Sequence, residues 1–204
     1  MKDWRAEISA LPKEKQADAF SEKGDELLST GDFDKAAEAY RLSIQLDPSS
    51  EASHYNLGIA LARAGRIEEA IAAYNEALNI APDYAEAHNN LGNLLMKKKM
   101  FPEAIEHFTE AAKINPEVAN SHNNLGIALA NSGRTNEAAA SFARAVSLDT
   151  NYLEARFNLA QSHLARGDTN AAASELEQLL RLNPNFSPAR QVIEQISRTA
   201  NVPK

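Results

Sequence analysis

Histidine and asparagine side chains recur along this chain at a constant spacing of 34 residues. The histidines are His54, His88 and His122, and the asparagines are Asn56, Asn90, Asn124 and Asn158. Imidazole nitrogens are common metal ligands, whereas a side-chain amide has donors and an acceptor that match the N–H and C=O of a peptide backbone. The two sets therefore raise two different possibilities, a metal site and a peptide-binding surface.

The spacing of the histidines argues against a shared metal ion. Residues repeated on packed neighbouring helices lie about 8–10 Å apart, whereas zinc ligands bond at about 2 Å. We interpret the histidines as packing residues that replace a larger aromatic side chain at a helix contact. The chain also has no cysteine, which removes thiolate metal sites and cysteine nucleophiles. We predict no metal site and no cofactor.

Composition disfavours several further classes of function. Acidic residues outnumber basic ones by 28 to 21, which gives a net charge of −7. The only basic cluster is Lys97 to Lys99, so a nucleic-acid partner is not expected. No apolar run reaches the roughly 18 residues of a transmembrane helix, and the first residues do not resemble a signal peptide. We therefore expect no membrane insertion and a cytoplasmic location.

The 34-residue spacing extends to the small and aromatic residues of the chain. If repeats begin at residues 17, 51, 85, 119 and 153, they align without a gap. Position 8 is Gly24, Gly58, Gly92, Gly126 and Ala160, and position 24 is Tyr40, Tyr74, Phe108, Phe142 and Leu176. All eight glycines fall at positions 8 and 15. None remains for a phosphate-binding loop, and we find no catalytic motif, so we predict that the chain is not an enzyme.

Each repeat predicts a pair of helices. In the second repeat, apolar residues recur every three or four residues on both sides of Gly65, the spacing of an amphipathic helix. Gly65 suits a helix end in the left-handed conformation. Pro82 ends the pair, because the residue before a proline is disfavoured in a helix. The small residue at position 8 would let two helices approach closely, with the aromatic at position 24 filling the adjacent space.

This pattern resembles the tetratricopeptide repeat over residues 17–186. The resemblance implies an all-α, right-handed solenoid of five helix-turn-helix repeats followed by a C-terminal capping helix. The expected repeats are 17–50, 51–84, 85–118, 119–152 and 153–186, with a capping helix and tail at 187–204. Residues 1–16 form an extension in which a short helix, residues 2–10, is expected to dock through Trp4. Lys99 replaces the usual glycine at position 15 and would be strained at positive φ, so we expect that turn to differ.

The resemblance also implies that the first helix of each repeat lines a concave groove, with positions 2, 5, 6, 9, 12 and 13 pointing into it. An extended peptide advances about 3.3 Å per residue, so asparagines about 8–10 Å apart would meet roughly every third peptide residue. This ladder is similar to the asparagine-lined groove of O-linked N-acetylglucosamine transferases. The predicted peptide-binding residues are Asp25, Tyr55, Asn56, Arg63, Asn89, Asn90, Asn93, Lys97, Asn123, Asn124, Phe157 and Asn158.

We therefore predict a non-catalytic scaffold that binds an extended peptide of a partner protein. Asp18, Glu22 and Asp25 suggest a basic residue at one end of that peptide. The family's clamp for two carboxylates, which needs basic residues at positions 2, 5 and 6, is missing in every register. Three alternatives remain open. The asparagines hold helices together, the chain is the substrate-recognition part of a larger enzyme such as a glycosyltransferase, or it associates weakly with itself.

Overall fold

The computed structural model describes residues 3–200, except for the side chains of residues 199 and 200. In this part of the chain there are twelve α-helices and no β-strand, which confirms the predicted all-α class. The helices are α1 (Trp4–Ser9), α2 (Lys13–Ser29), α3 (Phe33–Leu46), α4 (Glu51–Arg63), α5 (Ile67–Ile80), α6 (Ala85–Lys97), α7 (Phe101–Ile114), α8 (Ala119–Asn131), α9 (Thr135–Leu148), α10 (Leu153–Ala165), α11 (Thr169–Leu182) and α12 (Ser187–Ala200). Within residues 3–200, no helix is long and apolar enough to cross a membrane.

The described residues form two compact units, which divide between Leu94 and Leu95. In the first unit, α1 packs on α2, and each helix from α2 to α4 packs on the next one along the chain. In the second unit, the same sequential packing runs from α7 to α12. First helices of consecutive repeats also touch, α2 with α4 in one unit and α8 with α10 in the other. Residues at equivalent positions of these first helices therefore lie on a common surface, which we call the first-helix face of each unit.

The turn inside each repeat is built from the same two backbone hydrogen bonds. After α4, the Gly65 N–H donates to Ala62 O at 3.2 Å, and the Arg66 N–H donates to Leu61 O at 2.9 Å. Gly65 has a φ of +78°, which glycine adopts without the steric cost of a Cβ atom. Gly31, Gly133 and Gly167 show the same left-handed conformation. The predicted left-handed helix end is thus confirmed.

The expectation that the turn at Lys99 differs is wrong. Lys99 adopts a φ of +59°, and the Met100 N–H donates to Leu95 O at 2.9 Å as in the other repeats. The left-handed region costs a residue with a Cβ atom about 1–2 kcal/mol. The hydrogen-bonded turn and the packing of the helices on either side outweigh this cost. The turn therefore has the same conformation as in the other repeats, although Lys99 is strained there.

Replacing Lys99 by glycine should stabilise the chain by about 0.5–1 kcal/mol, because relief of the left-handed strain exceeds the extra unfolded-state entropy of glycine. The matched control is Gly133→Lys, which places a lysine at a φ of +78° with no atom within 4 Å of its Cβ. That variant should be destabilised by a similar amount, about 0.5–1 kcal/mol. Urea denaturation measures both. Destabilisation of the chain by Lys99→Gly would show that Lys99 is not strained.

Position 8 and position 24 form a small–large pair at the contact between the two helices of a repeat. A Cβ atom built on Gly58 would lie 2.6 Å from the Tyr74 ring, and one on Gly126 would lie 2.5 Å from the Phe142 ring. Such distances are too short for real carbon contacts, so glycine is required beneath the ring. In the fifth repeat, Ala160 and Leu176 replace this pair, and both are fully buried in one apolar cluster. A slightly larger residue on one helix is matched by a smaller one on the other.

The replacement of a glycine–aromatic pair by Ala160 and Leu176 predicts that substitutions at the matching positions of the fourth repeat have coupled effects on stability. Gly126→Ala alone should destabilise the chain by about 1–3 kcal/mol, because the added methyl group overpacks the contact with Phe142. Phe142→Leu alone should also destabilise it, because it leaves a cavity. The double variant reproduces the Ala160–Leu176 pair and should be about 1–2 kcal/mol more stable than the sum of the two losses. A double-mutant cycle in urea measures this coupling, and strict additivity would contradict the pairing.

Both ends of the described chain pack on a neighbouring helix. The Trp4 ring meets the Phe20 ring edge-on at 6.1 Å, and the Arg5 guanidinium donates to both oxygens of Glu38 at 2.6 and 2.5 Å. The predicted short helix thus contacts the first repeat, although residue 2 lies outside the described residues. At the other end, Ala189 is fully buried, and Val192, Ile193 and Ile196 pack on the same apolar cluster. Residues 201–204 also lie outside the described part.

Candidate functional site

The three repeated histidines each contact a carbonyl oxygen of the preceding loop. The Nε2 atoms of His54, His88 and His122 lie 3.2, 3.0 and 2.9 Å from the carbonyl oxygens of Pro48, Pro82 and Pro116. A carbonyl oxygen can only accept, so Nε2 carries the hydrogen in each case. The histidines therefore tie the start of a first helix to the loop before it. The predicted structural role is of the right kind, but the contact is a hydrogen bond rather than packing alone.

The fifth repeat makes the same connection with a different side chain. Arg156 occupies the histidine position, and its Nη2 donates to Thr150 O at 3.0 Å, again six residues earlier. Its Nη1 also donates to Glu175 Oε2 at 2.7 Å and to Gln178 Oε1 at 2.9 Å. Arg156 is 6% exposed. No group of three or more potential ligands within residues 3–200 is arranged to hold a metal ion.

Two equivalent clefts lie on the first-helix faces, one in each unit. The first cleft, of about 240 Å³, is lined by Ile59, Ala62, Arg63, Tyr74, Asn90, Asn93 and Leu94. The second cleft, of about 320 Å³, is lined by Ile127, Ala130, Asn131, Thr135, Phe142, Asn158, Gln161, Ser162 and Ala165. Every lining residue of the first cleft has a counterpart 68 residues later in the second. The repeated sequence thus forms the same kind of site in both units, and each site contains an isoleucine, an aromatic ring and the asparagine of position 6.

In the first cleft, the asparagine is held by tyrosines. Asn90 Nδ2 donates to the Tyr55 hydroxyl at 3.0 Å, and the Tyr55 ring packs on the tilted Tyr84 ring with centroids 4.6 Å apart. Burial and the neighbouring Tyr55 raise the pKa of the Tyr74 phenol, while Asn90 and Arg63 act in the opposite direction. Tyr74 therefore stays neutral at physiological pH and serves as a ring with a polar edge at the base of the cleft.

In the second cleft, the asparagine is held by another asparagine. Asn158 Nδ2 donates to Asn123 Oδ1 at 3.3 Å, and Asn123 Nδ2 donates to the Tyr152 hydroxyl at 3.2 Å. A side-chain amide has two N–H donors and one acceptor oxygen. Asn158 therefore keeps one donor and its oxygen after this bond, which is the pair of groups that a peptide backbone can use. Asn123 is only 1% exposed. It therefore supports Asn158 from within the helix packing, and the prediction that it is open to a peptide is wrong.

A third contact of this kind lies between α2 and α4. Asp25 Oδ1 accepts from the Tyr40 hydroxyl at 2.6 Å and from Asn56 Nδ2 at 3.3 Å. Burial and the hydrogen bond to Asp25 raise the pKa of Tyr40 well above its ordinary value, so the phenol remains a donor. Asp25, Asp18 and Glu22 are all exposed. The carboxylate of Asp25 is thus oriented on the first-helix face while staying open to solvent.

The other predicted peptide-binding residues differ in how exposed they are. Asn93, Arg63 and Lys97 are exposed, whereas Asn124 and Asn89 are half-buried, and Asn89 Nδ2 donates to Ala85 O at 3.4 Å. The Phe157 ring packs on Phe186 at 5.5 Å and belongs to the cluster beneath α12.

Some residues of the clefts were not predicted as site residues. The sequence pattern predicts the rings at their bases, Tyr74 and Phe142, only as packing residues. Their place opposite the glycine at position 8 was the signal that they sit beneath the first-helix face. Position 10, occupied by Leu94 and Ser162, also lines the clefts and gave no signal.

Models of known repeat families match most of the chain. The model described as "TPR repeat" matches residues 24–65 and 61–99. Two models described as "Tetratricopeptide repeat" match residues 85–118 and 129–196. No curated protein matches the sequence significantly.

Solved structures share the fold at low sequence identity. YrrB, a TPR protein with an unusual peptide-binding site, has a TM-score of 0.81 at 20% identity, over 95% of this chain and 98% of YrrB. MamA 41-end from Desulfovibrio magneticus RS-1 has a TM-score of 0.77 at 20% identity, over 83% of this chain and 96% of that one. Pseudomonas aeruginosa pilF has a TM-score of 0.76 at 20% identity, over 92% and 85% of the two chains. These likenesses establish the fold.

Proposed function

The chain belongs to the tetratricopeptide repeat family of protein-interaction modules, and we propose that its first-helix faces bind an extended peptide of a partner protein without catalysis. The observation that carries this proposal is the repeated cleft. Two sites built from the same repeat positions each combine an apolar wall with a side-chain amide held in place by a neighbour. Such a site accepts one peptide side chain and one backbone amide group at a time.

The asparagines have the chemistry that sequence-tolerant binding of a backbone needs. Asn90 and Asn158 are each fixed by one hydrogen bond to a neighbouring first helix. A fixed amide loses little side-chain entropy when a ligand binds, which improves affinity. Because every peptide backbone has the same N–H and C=O groups, these contacts give affinity with loose sequence preference. The peptide-binding site of YrrB, a protein of the same fold, supports a peptide as the ligand.

The carboxylates of α2 favour one orientation of the peptide in the first unit, with a basic residue at the end that meets them. Asp18, Glu22 and Asp25 are exposed along α2, and Asp25 is oriented by Tyr40 and Asn56. A basic residue of the peptide would pair with these carboxylates. The net charge of −7 over the chain adds a long-range attraction for a basic segment, one that weakens as salt is added.

Changing Asn90 and Asn158 together to alanine should weaken peptide binding by about 1–3 kcal/mol, since each neutral hydrogen bond contributes roughly 0.5–1.5 kcal/mol. Each unit loses one amide in this variant. The peptide is one selected from a library of random linear peptides displayed on phage, and isothermal titration calorimetry measures its affinity.

The matched control is Asn75→Ala with Asn136→Ala, which removes two exposed asparagines from the second helices α5 and α9. Binding by the control should not change. If the control and the Asn90/Asn158 variant lose the same affinity, or neither loses any, the asparagines do not hold the peptide.

A further inference from the structure

The first cleft differs from the second in one charged residue. Arg63, the last residue of α4, lines the first cleft, and its counterpart in the second cleft is Asn131. We propose that the first cleft binds the carboxylate of a glutamate or aspartate side chain in the bound peptide, with Arg63 as the residue that selects it. This inference rests on the proposed function, because it names one side chain of the same peptide.

Arg63 is an arginine whose charge is open to a ligand. It is exposed and forms no ion pair with any residue in the described part of the chain. Arg66, only three residues later, donates to both oxygens of Glu69 at 2.8 Å. Arg134 does the same with Glu137. These two guanidinium groups are thus paired with carboxylates of the chain itself, whereas the guanidinium of Arg63 is available to a ligand.

The lining of the first cleft favours a carboxylate over other side chains. No aspartate or glutamate lines it, so a lysine or arginine of the peptide would meet only the positive charge of Arg63. An apolar side chain would fill the space beside Ile59 and Leu94 but would displace water from Arg63 without replacing its hydrogen bonds. A glutamate matches both the apolar wall and the charge of the cleft. Its methylene groups cover the apolar wall, and its oxygens accept from the guanidinium in a charge-assisted hydrogen bond.

The second cleft serves as an internal comparison. All of its lining residues are uncharged, including Asn131, Gln161 and Ser162. A carboxylate placed there would find neutral donors but no cation, so this cleft has no preference for an acidic side chain. The family's clamp for two carboxylates uses other positions and is missing from this chain. Recognition at position 13 of the second repeat is therefore separate from that clamp.

The test is selection of random linear phage-displayed peptides on three immobilised proteins, the wild-type chain, Arg63→Glu and Lys113→Glu. The last makes the same change of charge at an exposed site on the second helix α7. Peptides selected by the wild type and by Lys113→Glu should be enriched in aspartate or glutamate at one position. Peptides selected by Arg63→Glu should carry lysine or arginine there.

The selected peptides then serve as probes in titrations. The affinity of a wild-type-selected peptide should fall by about 10- to 100-fold in Arg63→Glu, the effect of losing a charge-assisted hydrogen bond, and should largely return in Arg63→Lys. Equal acid enrichment by the wild type and Arg63→Glu, with binding still sensitive to Asn90→Ala, would overturn this inference and leave the proposed function standing. If no protein enriches any peptide, the proposed function fails and this inference fails with it.

Discussion

Replacing Arg156 by methionine is expected to lower the free energy of unfolding by about 3 kcal/mol. The arginine side chain is 7% exposed and that of Glu175 is 20% exposed, with Nη1 and Oε2 2.7 Å apart. Methionine fills much of the same space, but the mostly buried carboxylate of Glu175 would lose its cation and the Thr150 carbonyl would lose its donor. Removing one partner of a buried ion pair is costly because the other charge remains buried. Urea denaturation followed by circular dichroism measures the loss.

Two further variants separate this explanation from a general effect of charge removal. Arg181→Met removes a cation that is 78% exposed, and exposed ion pairs contribute about 0–1 kcal/mol, so its effect should be small. Arg156→His restores the residue used in the second, third and fourth repeats and should recover the bond to the Thr150 carbonyl, though not the pair with Glu175. Its stability should therefore lie between those of the wild type and Arg156→Met. Equal losses in Arg181→Met and Arg156→Met would show that burial of the pair is unimportant.

Deleting residues 187–204 is expected to have an effect of similar or greater size. The deletion uncovers the cluster of Ala160, Leu176 and Leu179, on which Val192, Ile193 and Ile196 pack. Burying one large apolar side chain contributes about 1.5–3 kcal/mol, and these three are partly buried, so the loss should be about 3–5 kcal/mol. Because the stability of a repeat array is roughly a sum of local terms, hydrogen exchange should show residues 153–186 losing protection first.

A shorter deletion provides the control for that experiment. Removing residues 197–204 keeps the apolar stripe from Ala189 to Ile196 and should leave the protection of residues 153–186 close to that of the full chain. The result that would count against α12 as a cap is an equal loss of protection in residues 17–50 and 153–186 after the longer deletion.

The helix pairs could be predicted from the sequence because their signals are local. Gly65 and Pro82 fix where helices end through backbone sterics that depend on a few neighbouring residues. The pairing of Gly58 with Tyr74 could also be predicted, since both recur at a fixed distance and one is small where the other is large. Lys99 shows the limit of local reasoning. Its intrinsic preference opposes the left-handed conformation, but the flanking helices impose it.

The site could be predicted only in part because it depends on contacts between helices. The repeat spacing identified Asn90 and Asn158 as special, but it could not show that Tyr55 and Asn123 hold them. The burial of Asn123 depends on how α8 packs against its neighbours, which a spacing rule of three and four residues does not fix. In the same way, the acceptor for His122 is a loop carbonyl six residues back, and its position depends on the turn between α7 and α8.

We propose above that the first-helix faces hold a peptide through their asparagine side chains. The most direct measurement is an NMR titration of the full chain with a library-selected peptide, in which the side-chain amide signals of the asparagines are assigned and followed. We predict that the amide signals of Asn90, Asn158 or both shift in a saturable manner, while those of Asn75 and Asn136 on the second helices stay in place. Saturable shifts confined to the second helices, with the signals of Asn90 and Asn158 unmoved, would contradict this claim.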